Sequence, residues 1–205
     1  MMMKLVALLL LVITISAAPL GHGLIDQSPE GVQKWFEEFP NAKPKLTKLH
    51  FYLNNIASKK PPMSAPVAQA ETTASSPTSF GLITVIDAAL TATPGGKVIG
   101  RGQGFFTFSS QEELSALVTL NFVFTDGEFD GSTLSVLGRN PITQTYRELP
   151  VIGGSGAFRL AQGIATATTY YQNATAGDDI VEVHMVLYRQ TLPGRDSDDS
   201  WAAEL

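Results

Sequence analysis

The chain has 205 residues, of which 44% are hydrophobic and 16% charged, with 18 glycines, no cysteine and a formal net charge of −5. This length suffices for one domain with its own core, and the low charge with frequent glycine favours an all-β fold with tight turns. The acidic balance argues against nucleic-acid binding, which needs a basic face. Without cysteine these residues form no disulfide, thiolate nucleophile, iron–sulfur cluster or cysteine zinc site.

The first residues have the pattern of a secretory signal peptide. Lys4 precedes an apolar run over residues 5–15 that is broken only by Thr14, and small residues follow at 16–18. The run is too short to span a bilayer comfortably. We therefore expect residues 1–23 to be a signal, cut between 17 and 23, and the mature chain to be secreted without a membrane anchor. A buried N-terminal helix is the alternative.

Residues 24–45 form an N-terminal segment ahead of the first strand pattern. Ser28-Pro29 resembles a helix N-cap followed by proline at the first helical position, and Pro40 is a stop signal. A short helix is predicted between them, ending near Phe39.

Alternating apolar residues and glycine turns then predict eight strands. The predicted strands cover residues 49–55, 80–87, 97–108, 114–125, 132–138, 143–149, 157–169 and 180–188. Residues 59–79, rich in Pro, Ala, Ser and Thr, are predicted to form one long loop. Evenly spaced strands indicate a single-domain antiparallel barrel or sandwich over residues 46–189, and eight strands can close around one small ligand. The polar residues 190–205 are predicted to be a disordered tail.

A glycosylation sequon is present at Asn173-Ala174-Thr175. It lies in the polar stretch 172–179, which has the composition of a loop between strands. Because a signal peptide is also predicted, we expect Asn173 to be glycosylated.

Several motifs that suggest cofactors fail in detail. Residues 100–104 read Gly-x-Gly-x-Gly and continue as a strand, and residues 153–156 lack the lysine of a phosphate-binding loop. His22, His50 and His184 do not occur at metal-ligand spacing in the sequence, and no Gly-x-Ser-x-Gly elbow is present. The sequence thus predicts no cofactor, no metal and no nucleophilic triad.

The predicted strand 143–149 has no apolar face. Thr143, Thr145 and Arg147 lie on one side, with Gln144, Tyr146 and Glu148 on the other. A barrel strand turns one face inward, where polar groups need partners or a wet cavity. This pattern favours a pocket with polar groups in its wall, the alternative being that Arg147 and Glu148 lie at a subunit interface or the barrel rim.

Five blocks of sequence resemble the dirigent family of plants. They cover residues 49–53, 100–105, 121–125, 131–141 and 147–159, in the family's order and spacing between about 46 and 188. The resemblance implies an eight-stranded antiparallel β-barrel of the calycin-like or allene-oxide-cyclase-like type. It also implies a homodimer or homotrimer in the apoplast, without a cofactor.

The resemblance implies a role in phenylpropanoid chemistry. A separate laccase or peroxidase makes phenoxy radicals from a monolignol such as coniferyl alcohol, and the dirigent protein orients two radicals so that one enantiomer of a lignan forms. Other members of the family dehydrate an isoflavanol through a quinone methide with the help of acidic side chains. A third alternative is a non-catalytic role in lignin organisation or defence at the cell wall, so the resemblance leaves open whether this protein is an enzyme.

The resemblance also points to pocket residues. Pinoresinol-forming members carry two aspartates and an arginine; here the aspartate positions are Asn55, which follows Asn54 in place of histidine, and Asn140, while the arginine is kept as Arg147. Asn140 lies in a Gly-Arg-Asn-Pro turn found in a branch whose substrates are mostly unassigned. Because asparagine cannot transfer a proton as a carboxyl group does, acid–base chemistry through Asn55 and Asn140 is doubtful.

We therefore predict a binding pocket for a phenol. Asn55, Asn140 and Arg147 are its predicted polar contacts, and aromatic rings, among them Phe51 and Phe105, its predicted walls.

Overall fold

The computed structural model describes residues 25–193, so the predicted signal peptide and the predicted tail beyond residue 193 lie outside the described residues. The described part contains one α-helix and nine strands. They are α1 (Pro29–Glu38), β1 (Lys43–Asn55), β2 (Ser64–Ala68), β3 (Ile83–Thr91), β4 (Val98–Phe108), β5 (Ser115–Phe124), β6 (Thr133–Pro141), β7 (Arg147–Ser155), β8 (Gln162–Asn173) and β9 (Asp178–Thr191). The helix within 25–193 is too short to cross a membrane.

Helix α1 occupies the segment in which a short helix is predicted. The side chain of Ser28 accepts a hydrogen bond from the Gly31 amide at 3.0 Å, and Pro29 occupies the first helical position. A 3-10 turn at Phe39–Asn41 ends the helix, and Trp35 is its buried residue. The capping hydroxyl satisfies one of the amides that a helix start leaves without a partner.

Eight of the strands form a closed antiparallel barrel. Neighbouring strands follow the order β1-β9-β8-β7-β6-β5-β4-β3, and β1 pairs again with β3 to close the ring. The strands β1 and β9 pair along their whole length, from Lys43 opposite Thr191 to Asn55 opposite Asp179. The prediction of an all-β, eight-stranded antiparallel barrel is confirmed.

Strand β2 was not predicted, because it lies in the stretch 59–79 that reads as a loop. The closing pair β1–β3 covers only three residues of β3, from Ala89 to Thr91, so the first half of β3 would be an open edge. Strand β2 pairs with that half. Pro66 is compatible with this position because β2 is itself the outermost strand, and an open edge is exposed to unwanted pairing unless it is covered.

The predicted strand 143–149 is wrong in its position. Residues 142–146 form a turn and a bend, and β7 begins at Arg147. It continues through Gly153 and Gly154, which read as a turn in the sequence. A Cβ atom on Gly154 would lie 2.4 Å from the Thr133 carbonyl oxygen, so this glycine permits close strand packing rather than a chain reversal.

Several further strand limits differ from the prediction, among them the start of β1, which lies at Lys43 and not at residue 49. A 3-10 turn at Gly156–Phe158 delays the start of β8 to Gln162, and β9 runs on to Thr191, so the predicted tail begins inside a strand. These ends are set by pairing with neighbouring strands, which local sequence does not show.

One end of the barrel is filled and the other is hollow. Phe51 packs edge-on against Phe122 and Phe124, and Phe124 contacts Phe129 and Phe158. Towards the opposite end, where β1 finishes and β9 begins, the inward-facing residues surround a cavity. The aromatic cluster therefore forms the floor of a cup.

Candidate functional site

The cavity has a volume of about 620 Å³. Its walls are largely apolar, with Leu53, Phe106, Phe122 and Val183 among the lining residues. Small-molecule sites are typically apolar clefts of a few hundred cubic ångströms with a few polar groups. The dimensions and walls suit a ligand with one or two aromatic rings.

The three predicted polar residues all line this cavity. Asn55 ends β1, Asn140 lies on β6, and Arg147 begins β7. Asn55 and Arg147 are buried, with exposed fractions of 6% and 4%. The fold thus brings together residues that are up to 92 positions apart, from 55 to 147, in one cavity wall.

The two predicted aromatic contacts lie elsewhere. Phe51 is fully buried in the floor of the cup, and Phe105 is 42% exposed on the outer surface of the barrel. The next residue, Phe106, lines the cavity instead. Because successive residues of a strand point to opposite faces, a Phe-Phe pair sends one ring inward whichever way the strand is set, and only the sheet register decides which.

Asp179 is the functional candidate that sequence reasoning missed. Strand pairing places it directly opposite Asn55, whose Nδ2 donates a hydrogen bond to Asp179 Oδ1 at 2.7 Å. Burial raises the pKa of the Asp179 carboxyl, although the hydrogen bond from Asn55 and the positive charge of Arg147 oppose this rise. A carboxyl group that holds its proton more tightly than usual is suited to proton transfer in a cavity.

The pKa of its neighbour Asp178 is shifted in the opposite direction. The Ser58 amide and hydroxyl both donate to its carboxylate, at 2.8 and 2.7 Å. These hydrogen bonds hold the pKa of Asp178 below its usual value, and they attach the loop after β1 to the start of β9. Two adjacent carboxyl groups with diverging proton affinities can play different roles. In the sequence the pair Asp178-Asp179 reads only as part of a polar loop.

Arg147 supplies a buried positive charge to the cavity. Its Nε donates to the Ala167 carbonyl at 3.4 Å. Burial lowers the pKa of the guanidinium, and the charge of Asp179 counteracts that effect. Since an arginine side chain starts from so high a pKa, it remains charged.

Three buried polar atoms of the lining residues have no hydrogen-bond partner within residues 25–193. They are Asn55 Oδ1, Asn140 Oδ1 and Arg147 Nη2. Buried polar atoms in proteins are nearly always paired, and leaving one unpaired costs about 1–3 kcal/mol. Two acceptors and one charged donor are therefore available in the cavity for the polar groups of a ligand.

Asn173, the sequon residue, lies at the exposed end of β8 on the cavity rim. Its Oδ1 accepts a hydrogen bond from the Ala176 amide at 3.2 Å, within the turn to β9. The position is accessible for a glycan, and glycosylation stays a prediction.

His50 and His184, which do not occur at metal-ligand spacing in the sequence, come together in the fold. The register of β1 and β9 places them opposite each other, with stacked rings 4.1 Å apart. Both contact Glu182, and burial of this carboxyl is outweighed by hydrogen bonds from His50 and Tyr52, so the pKa of Glu182 is lowered. This group lies on the outer surface, since Phe51 and Val183 beside it point inward. His22 lies outside the described residues.

The fold is an eight-stranded antiparallel β-barrel with a packed floor and an interior cavity lined mostly by apolar residues. The family model described as Dirigent-like protein matches residues 46–188. The chain belongs to the dirigent family.

Relatives of two kinds are similar to this chain. Dirigent protein 21 of Arabidopsis thaliana is 44% identical over 153 residues, which cover 73% of this chain and 81% of that protein. Pterocarpan synthase 1 of Glycyrrhiza echinata is 40% identical over 147 residues, covering 70% of this chain and 78% of that protein. A solved structure of a pterocarpan synthase dirigent protein matches with a TM-score of 0.66 and 37% identity, covering 72% of this chain and 86% of that one.

Proposed function

We propose that the protein binds a phenolic alcohol in the barrel cavity and removes water from it stereoselectively through a quinone methide. The observation that carries this proposal is the hydrogen-bonded pair Asn55–Asp179 beside the buried charge of Arg147. The similarity to proteins named pterocarpan synthase, one of them a dirigent protein of solved structure, supports it.

Asp179 would act first as a general acid. Its carboxyl proton passes to the benzylic hydroxyl of the substrate, the carbon–oxygen bond breaks, and water leaves. The phenol conjugated with that carbon loses its proton to solvent and becomes the carbonyl of the quinone methide. Arg147 would stabilise the negative charge that develops on this oxygen as its proton leaves. General acid catalysis by Asp179 would contribute about 10²–10⁴-fold in rate.

Ring closure would regenerate the acid. A second hydroxyl of the substrate attacks the exocyclic carbon of the quinone methide and gives its proton to the Asp179 carboxylate, while the first ring takes a proton from solvent and becomes a phenol again. The net change is loss of one water. Asn55 and Asn140 would hold the intermediate so that one face is open to attack, and a difference of about 1.4 kcal/mol between the two faces gives a tenfold ratio of products.

The test is turnover of an isoflavan-4-ol that carries both a free phenol conjugated with the benzylic carbon and a second free hydroxyl for ring closure, with no oxidant present and products separated by chiral chromatography. We expect one enantiomer of the dehydrated product and a loss of at least about 100-fold in kcat for Asp179→Asn, with binding retained. Asp178→Asn is the matched control, because it removes the neighbouring carboxylate and should leave kcat within a few-fold. Absence of product at every pH, or full activity of Asp179→Asn, would refute the proposal.

A second candidate function is orientation of two phenoxy radicals during coupling. It is favoured by the volume of about 620 Å³ and the apolar walls, since coupling needs positioning and no proton donor. Coniferyl alcohol with a laccase, with and without the protein, should then give an enantiomeric excess that Asp179→Asn preserves. A racemic product from every monolignol tried excludes this function. If both assays fail and the protein localises to lignifying walls, the non-catalytic role is favoured.

We further propose that the protein works in the apoplast as a homodimer or homotrimer. The signal-peptide pattern at residues 1–23 supports secretion. In the coupling role a separate laccase or peroxidase supplies the radicals, and the phenolic small molecule is the ligand in either role.

A further inference from the structure

His50, Glu182 and His184 form a cluster on the outer surface of the barrel, on the opposite face of the strands from the cavity. Glu182 and His184 are two residues apart on β9 and so point to the same face, and His50 on β1 is the direct cross-strand partner of His184. Tyr52 is the cross-strand partner of Glu182. Two paired strands thus present four polar side chains in a square.

The potential ligand atoms lie close together. His50 Nε2 lies 2.8 Å and His184 Nε2 lies 3.4 Å from the same oxygen, Glu182 Oε1, and the three ligand atoms all lie within 4.8 Å of one another. The imidazole rings are nearly parallel, with an interplanar angle of 7°. The Tyr52 hydroxyl donates to the same carboxylate oxygen at 3.0 Å.

These separations match a tetrahedral metal ion. Ligand atoms bound to Zn²⁺ at about 2.0–2.1 Å in tetrahedral geometry are about 3.3 Å apart. The spacing from Glu182 Oε1 to the two histidines is close to this value. Because the stacked rings are nearly parallel, binding would require the imidazoles to rotate until both Nε2 lone pairs point at one ion. Binding would require both histidines to be neutral with the proton on Nδ1, which leaves Nε2 free to coordinate.

We propose that His50, Glu182 and His184 bind a divalent transition-metal ion of the Zn²⁺ type, with water or the Tyr52 hydroxyl in the fourth position. Two imidazoles and one carboxylate suit Zn²⁺, whereas Mg²⁺ and Ca²⁺ take oxygen ligands. The ion would link β1 to β9, the first and last strands of the barrel along the chain. The side chains of His50, Glu182 and His184 are 31%, 27% and 55% exposed, so these three groups are reachable from solvent, whereas Tyr52 is buried.

This proposal is independent of the proposed function. The cluster lies outside the barrel wall, while Asn55, Arg147 and Asp179 line the inside. Loss of the metal site should therefore leave substrate binding in the cavity unchanged, and failure of the dehydratase assay says nothing about the metal.

The test is isothermal titration of the metal-free protein with Zn²⁺ and, in parallel, with Mg²⁺. We expect saturable Zn²⁺ binding, no Mg²⁺ binding, and a loss of Zn²⁺ affinity of at least tenfold in His184→Gln and more in His50→Gln/His184→Gln. Glu112→Gln is the control, because it removes an exposed carboxylate outside the cluster and should not change the affinity. Absence of Zn²⁺ binding, or equal affinity in the double variant, overturns the proposal.

A measurement on the unaltered protein covers the case that a variant folds poorly. The imidazole NMR resonances of His50 and His184 should shift together on addition of Zn²⁺ and stop shifting once the site is full. Co²⁺ in place of Zn²⁺ should give the intense visible absorption of a tetrahedral site. If neither imidazole responds before a large excess of Zn²⁺, the cluster is a hydrogen-bonded group only.

Discussion

Asp179 is a residue at which catalysis and stability are opposed. Its folded pKa lies above the usual aspartate value of about 3.9 because of burial. Between the usual value and the folded value, the folded protein holds a proton that the unfolded chain releases. Raising the pH from the usual aspartate pKa to the folded pKa of Asp179 therefore lowers the free energy of unfolding. Above the folded pKa the full reduction in stability is present.

We expect Asp179→Asn to unfold at a higher temperature than the unaltered protein at pH 7, because an amide has no ionisation to suppress. The attraction between Arg147 and the Asp179 carboxylate does not reverse this expected stabilisation, because the pKa of Asp179 is raised overall even with that attraction included. The difference in unfolding temperature between Asp179→Asn and the unaltered protein should disappear as the pH falls below the usual aspartate pKa. Thermal unfolding at pH 3–8 measures it, and lower stability of Asp179→Asn at neutral pH would contradict the prediction.

Asp178→Asn is a control for which we expect the opposite change in stability. The hydrogen bonds from Ser58 lower the pKa of Asp178, so its contribution is present above the usual aspartate pKa and is lost as the pH falls. This variant should lose stability at pH 7.

Arg147 should contribute more to ligand binding than to folding. Its Nη2 atom has no hydrogen-bond partner within residues 25–193, and a hydrogen bond to a charged group is worth about 1.5–3 kcal/mol. We therefore expect Arg147→Met to raise the Kd of a phenolic ligand by about 10–100-fold, measured by calorimetry or fluorescence quenching.

Arg139→Met is the matched control for this substitution. Arg139 is exposed on β6 and forms an ion pair with Glu113. Unchanged affinity in Arg147→Met, or an equal loss in Arg139→Met, would show that the guanidinium of Arg147 does not contact the ligand.

Strand β7 contains two adjacent glycines with different roles. A Cβ atom on Gly154 would lie 2.4 Å from the Thr133 carbonyl oxygen and 2.7 Å from Phe158 Cβ, whereas Gly153 has nothing within 4 Å of that position. We expect Gly154→Ala to lower the free energy of unfolding by about 1–3 kcal/mol through overpacking. Gly153→Ala should be within about 0.5 kcal/mol of the unaltered protein. Urea titration compares them, and equal values would be inconsistent with the close approach of β7 to β6.

The same strand shows how local signals misplace an element. Consecutive glycines usually mark a turn, so the sequence predicts a strand that ends at residue 149, before Gly153 and Gly154. In the fold, β6 ends at Pro141 and the chain needs residues 142–146 to reverse. The glycines remain in the strand because Gly154 packs against the backbone of β6. Arg147 lines the cavity, although the strand predicted for it was wrong in position.

Closure of the barrel depends on a short seam between β1 and β3. Only residues 52–54 pair with 89–91, and the buried side chain of Asn54 reinforces the seam. Its Nδ2 lies 3.2 Å from the Ala89 carbonyl oxygen and 2.9 Å from Thr91 Oγ1. Asn54 thus connects the two strands at the point where the ring closes.

We expect Asn54→Ala to lower the free energy of unfolding by about 2–3 kcal/mol, because it leaves buried acceptors without their donor. Hydrogen exchange should increase first in β1 and β3. Asn121→Ala, an exposed asparagine on the outer face of β5 that bonds Ser135, is the control and should change stability by less than about 0.5 kcal/mol. Uniform loss of protection across all strands would argue against a local seam.

The all-β class, the number of barrel strands and the cavity position of Asn55, Asn140 and Arg147 could be predicted from the sequence. Apolar alternation, glycine turns and blocks that resemble the family are local patterns, so they can be recognised in the sequence without knowing the fold. The pairing of Asn55 with Asp179, which are 124 positions apart, and of His50 with Glu182, which are 132 apart, came from the tertiary structure. Strand β2, and the finding that Phe106 rather than Phe105 points inward, also came from the tertiary structure. Each of these depends on the register between strands, and register is set by closure of the barrel and packing of its interior, which no local stretch of sequence contains.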